Sequence, residues 1–167
     1  MDKLNDALER EAKRVEEDSI HSAKGHFNAA DIWRVRHYWI GVPATILGAA
    51  AGAAAVKSFP EIAIFLSLTA TILTGLLTFL KPADRASAHK TAGDQFLALR
   101  NDARFFREIE LVQHDDKQPS SDKLKALCQR RNELNQGSPE IPRKAFERAR
   151  KGISEGETAY AADKETQ

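Results

Sequence analysis

The sequence predicts an all-α protein: a two-span transmembrane helical hairpin whose cytosolic amphipathic helices pack as a bundle. Three observations predict it. Between His37 and Leu80 the only formal charges are Lys57 and Glu61, although 29% of the 167 residues are charged. That block divides into two uncharged runs of bilayer length, separated by Lys57-Ser58-Phe59-Pro60-Glu61. Outside it, apolar residues recur at steps of three and four, the helical period.

The first run, HYWIGVPATILGAAAGAAAV, lies between Arg36 and Lys57. At about 1.5 Å per residue it reaches about 30 Å, the thickness of a hydrocarbon core. The second, IAIFLSLTATILTGLLTFL, lies between Glu61 and Lys81 and is richer in Ile, Leu and Phe, which makes it the stronger span. The connection is too short to hold a domain, and Pro60 suits a first helical turn, where its missing N–H costs nothing. A buried hairpin in a soluble helical protein is the competing reading, because the first run is rich in weakly hydrophobic alanine and glycine. Helices apolar on all sides need lipid or a large core, and a chain this short cannot supply the core.

These boundaries give a cytosolic amino-terminal arm over 1–36 and a transmembrane hairpin over 37–81, with spans at about 38–57 and 61–81. A cytosolic helical region over 82–160 and a frayed tail over 161–167 follow. Trp33, Arg34, Arg36 and Trp39 before the first span, with Lys81 and Arg85 after the second, read as anchors at the cytoplasmic interface. By the positive-inside rule both termini face the cytoplasm. The charged start, MDKLNDALEREAKR, has no apolar stretch of a secretory signal.

In the arm, Leu4, Leu8, Ala12 and Val15 mark one helical face, and Gly25 predicts a bend before Phe27, Ile32 and Val35 lead into the membrane. After the spans, Pro82 should start or kink a helix on which Phe96, Leu99, Ala103 and Phe106 face the arm. HDDKQPSSD, from His114 to Asp122, reads as a polar loop, with Ser121 or Asp122 as N-cap of a helix to about Asn135. Pro142 then suits the N1 position of a last helix through Ala145, Phe146, Ala149 and Ile153.

A formal net charge of +1 argues against a basic nucleic-acid binder, so no nucleic-acid partner is expected. The single cysteine, Cys128, allows no intramolecular disulfide and no four-cysteine zinc site. Its neighbours Arg130 and Arg131 are able to lower its pKa, although a lone helical cysteine is more often a small packing residue. The five histidines match no metal-ligand spacing, and His21 and His26 are too poorly spaced to share a helix face. No phosphate loop or nucleophile elbow is present. Catalytic, cofactor-binding and metal residues are therefore not assigned, and the chain reads as a non-enzyme. Arg100, Arg104, Arg107, Arg130 and Arg131 are capable of meeting phosphates, but interleaved with acids they read as a solvated face.

Two patterns within the spans carry function. Ser67, Thr71, Thr74 and Thr78 fall on one face of the second span. Such a hydroxyl row either lines a wet path in an assembly, or bonds its own helix's carbonyls and packs on the neighbouring helix. In the first span Gly48 and Gly52 form a GxxxG, preceded by Gly41 and Ala44, that brings helix backbones close within the hairpin or between copies.

The stretches SAKGHFNAADIWRVRHYWIGVPATILGAA, TFLKPADRASAHKTAGDQFLALRNDARFF and LNQGSPEIPRKAFERAR resemble the SLATT domain family, the SMODS and SLOG-associating two-transmembrane effector domains. The resemblance runs from about Ser22 to Ile153. It implies an oligomeric effector of the bacterial inner membrane that forms a pore or disrupts the membrane in an anti-phage, abortive-infection system. Its implied partners are membrane lipid, further copies of the chain and a nucleotide-second-messenger synthase or sensor. The alternative function is a non-conducting membrane anchor or scaffold that recruits a cytosolic enzyme or sensor.

Overall fold

A computed structural model describes residues 3–113 and 117–160. Its elements run α1 (Lys3–Val56), α2 (Pro60–Leu80), α3 (Pro82–Phe105), a π-helical turn (Phe106–Glu110), a short α4 (Leu111–Gln113), α5 (Lys117–Gly137) and α6 (Arg143–Ser154). No strand occurs among the described residues. The chain divides into two compact units: one joins the residues up to Ala29 with those from Ala88 onward, and the other spans Ala30–Ser87. This division draws more of the chain into the apolar unit than the expected boundaries at 36/37 and 81/82.

The first unit is a helical bundle built on three seams. From α1 come Leu8, Ala12, Val15 and Ala23; from α3 and the π turn come Phe96, Leu99, Ala103 and Phe106; from α5 come Leu124, Leu127 and Leu134. The steps of three, four, seven and eight keep each set on one stripe, so the three stripes close on one another and exclude water. Alanines bring the backbones close, and Phe96 and Phe106, the largest fully buried side chains, fill the space between. Burying each ring contributes up to about 3 kcal/mol. From α6, Ala145, Ala149 and Gly152 are buried, while Asn28 of α1 donates to the Ala145 carbonyl at 3.3 Å. The expected packing of the arm on α3 is observed, except that Leu4 stays 42% exposed.

Several local expectations are corrected. α1 runs through Gly25 without a break. A Cβ there would meet Ile141 at 3.0 Å, so this glycine admits a close neighbour within the helix. The expected loop is helical from Lys117 onward, which puts Ser121 and Asp122 inside α5; His114–Asp116 lie outside the described residues, as does the 161–167 tail. Pro119 is tolerated because first-turn N–H groups have no intrahelical partner. Pro142 is the N-cap of α6, one position before N1.

The second unit contains the carboxy-terminal half of α1, the turn Lys57-Ser58-Phe59, α2, Lys81 and the start of α3. Pro60 occupies the first turn of α2, as expected. The helix ends where Lys81 adopts a left-handed conformation, φ 45°, and donates its N–H to the Leu77 carbonyl. α3 begins at Pro82, so the helices on either side of Lys81 are separate elements. Both α1 and α2 contain stretches long and apolar enough to cross a membrane. α2 buries none of its residues, and Trp39, Phe65 and Phe79 are 76%, 71% and 87% exposed. That is the inverse of a soluble core helix, whose apolar stripe faces inward.

Candidate functional site

All four hydroxyls of the predicted row are on exposed residues of α2. Ser67 donates to the Ile64 carbonyl at 2.9 Å, Thr71 to Ser67 at 2.8 Å, Thr74 to Ala70 at 2.9 Å and Thr78 to Thr74 at 3.1 Å. Own-helix bonding, part of one of the two expected arrangements, is thus present, and Thr74 also lines a groove with residues of α1. Because each hydroxyl hydrogen already has a carbonyl, the side chain meets lipid or water without an unsatisfied donor.

Gly48 and Gly52 are exposed, and a Cβ added at either would meet nothing within 4 Å. Their expected use within the hairpin is not observed. Close packing instead uses other small residues of α1: Ala44 and Ala51 are buried, and a Cβ on Gly41 would stand 3.5 Å from Leu77 Cδ1. Ala44, Leu47, Ala51 and Ala54 hold the less exposed face of α1, which leaves Gly48 and Gly52 turned away from it. The alanine run masked this distinction, since any helix face through it carries small residues.

The predicted interface residues divide into separate groups. Arg34 is paired with Asp31 at 2.6 Å, and Trp39 is exposed. The guanidinium groups of Arg36 and Arg85 lie 4.6 and 4.8 Å from the Trp33 ring, and Arg85 Nε also donates to the Leu80 carbonyl at 2.9 Å. Arg36, Lys81 and Arg85 form no ion pair among the described residues. Beside the cluster, His37, Tyr38, Gly41, Thr45 and Thr74 contribute to an open groove of about 580 Å³. The buried His37 Nδ1 has no hydrogen-bond partner.

In the bundle, sequence spacing conceals one polar pair. His26 and His89, 2% and 3% exposed, share a hydrogen bond between their Nδ1 atoms at 3.0 Å, and His26 stacks on Phe96 with centroids 5.5 Å apart. Burial, followed by the charge of His89, lowers the His26 pKa to about 4. The useful sequence signal is that both histidines fall in the heptad-like register of the core: His26 follows Ala23, and His89 precedes Ala92 and Phe96. His21 takes no part in that pair, and no cluster of three or more metal-ligating side chains occurs among the described residues.

The arginines meet partners in their own unit. Glu16 receives both Arg100, at 3.6 Å, and Arg107, at 3.1 Å, while Arg131 reaches Asp18 at 3.0 Å and Arg130 reaches Glu133 at 3.5 Å. Arg100 and Arg104 stack on Tyr160, whose hydroxyl accepts from Arg100. For Cys128, burial raises the thiol pKa and outweighs the opposing effect of Arg131, and the side chain packs against the bundle core, in line with its reading as a small packing residue.

The fold and site define an all-α chain with two helices long and apolar enough to cross a membrane. Comparison with protein-family models, curated proteins and solved structures finds no match to this chain.

Proposed function

We propose that the chain is a non-enzymatic effector of a bacterial inner membrane: α1 and α2 insert as a hairpin with both termini cytoplasmic, the helical bundle assembles copies, and the assembly opens a lumen along Ser67, Thr71, Thr74 and Thr78. The observation that carries this reading is the exposed hydroxyl row on a helix that is otherwise apolar and buries none of its residues. In lipid, association cannot draw on the hydrophobic effect, so small residues at a helix surface provide close packing; Gly48 and Gly52 offer such a surface. Hydroxyls hydrate a lumen without the cost of a charge at membrane depth. The SLATT resemblance adds the anti-phage setting and a nucleotide-signalling partner as trigger.

The second reading, a non-conducting anchor for a cytosolic enzyme or sensor, is favoured by the same hydroxyls being satisfied on their own helix, since they then require no water. Membrane potential in bacteria on induced expression separates the two. The effector depolarises cells, and Thr71→Leu/Thr74→Leu at equal membrane abundance reduces the leak. Equal depolarisation by both chains removes the lumen assignment, whereas stable partner binding without depolarisation, even in an assembled state, supports the anchor.

A further inference from the structure

The groove in the second unit and the paired guanidinium groups beside it have the parts of a lipid site. Trp33, His37 and Gly41 follow one another at steps of four on α1, so the Trp33 ring lies one turn before the groove on the same face. Arg36 and Arg85 converge on that ring at 4.6 and 4.8 Å with no carboxylate between them among the described residues. Two cations held this way present a positive site to an anion. His37 also lines the groove, whose volume of about 580 Å³ lies in the range, about 300 to 1,000 Å³, that buries most of a small amphiphile.

The walls change character along the groove. Thr45 and Thr74 commit their hydroxyl hydrogens to the Gly41 and Ala70 carbonyls, leaving Val42 and Ile46, both exposed, to provide an apolar side. A charged end followed by an apolar wall matches the order of groups in a phospholipid.

Resting on the membrane reading above, we propose that this groove binds one anionic phospholipid. Arg36 and Arg85 receive its phosphodiester, and an acyl chain lies along Val42, Thr45 and Ile46. Trp33 holds the two guanidinium groups in place, so the charged end is formed before lipid arrives.

The test is native mass spectrometry of the full chain in neutral detergent, titrated with phosphatidylglycerol or phosphatidylcholine bearing the same acyl chains. The wild type should retain one phosphatidylglycerol with a preference of about fivefold or more, as expected when basic side chains contact an anionic lipid. Arg36→Gln/Arg85→Gln should abolish the preference, and Arg36→Lys/Arg85→Lys should keep most of it, which separates charge from misfolding. Thr45→Phe should fill the groove and reduce retention of both lipids, while glycerol 3-phosphate should fail to displace the bound lipid. Unchanged selectivity in the Gln variant overturns the proposal. So does full displacement by glycerol 3-phosphate, which assigns the site to a free phosphate, or a Thr45→Phe chain that changes copy number with lipid retention intact, which assigns the groove to a second copy. The measurement reads no conductance, so a chain that retains phosphatidylglycerol but never depolarises cells keeps the lipid site and loses the lumen.

Discussion

Lowering pH should loosen the bundle at His26, and the size of the effect follows from its burial. The folded pKa of about 4 lies below the ordinary value of 6.5, so between those pH values the unfolded chain binds a proton that the folded bundle excludes. Stability therefore falls as pH falls through that window, and the contribution of this group levels off below about 4. At about 1.36 kcal/mol per pKa step, the shift amounts to about 3 kcal/mol, a large part of a small bundle's stability. The assay is amide exchange of the full chain in detergent, corrected for intrinsic rates, over residues 15–29 and 92–106 between pH 7 and pH 4. His26→Asn removes the titration while keeping an amide near the Nδ1 position, and it should flatten the pH response of those segments. An equally steep response in His26→Asn would refute the assignment to this pair.

Other expected outcomes concern the bundle's closest contacts. Gly93→Ala places a Cβ about 2.7 Å from the Phe27 ring, so overpacking of about 1–3 kcal/mol should exceed the gain of about 1 kcal/mol in helix propensity; denaturant unfolding gives the sign. Glu16→Gln leaves Arg100, only 7% exposed, and Arg107 without the carboxylate they share, and a loss of about 3 kcal/mol in the same assay is expected. Cys128 should react with iodoacetamide at pH 8 about tenfold more slowly in the folded chain than after unfolding in dodecyl sulfate, because burial raises its pKa and limits access.

The seams of the bundle were legible because apolar spacing reports a helix face directly: Leu8, Ala12 and Val15 meet Phe96, Leu99, Ala103 and Phe106 as the period requires. Gly25 and the Lys117–Asp122 segment were misread for a shared reason. Their composition expresses a local preference for turns of about 1 kcal/mol per residue at most, and tertiary packing outweighs it, at Gly25 through the close approach of Ile141. His26 and His89 stand 63 residues apart in sequence, so no local window contains their pairing. In the second unit the hydroxyl row was visible from spacing alone. Which small residues of α1 face α2 was not, because Gly41, Ala44, Gly48 and Gly52 are chemically alike and only the helix rotation distinguishes them.

That rotation has a consequence for the proposed effector. Gly41 and Ala44 serve contacts inside the unit, whereas Gly48 and Gly52 remain open, so the small surface available to another copy is not consumed in forming the single chain. The hydroxyl row follows the same economy. Each hydroxyl hydrogen is held by its own helix, and moving the row from lipid to water breaks no bond and exposes no new unsatisfied donor. A charged row would meet a large desolvation cost on returning to lipid, while a purely apolar one would resist wetting. Own-helix hydroxyls lie between these limits, which suits a surface that must rest in lipid before assembly and face water after it.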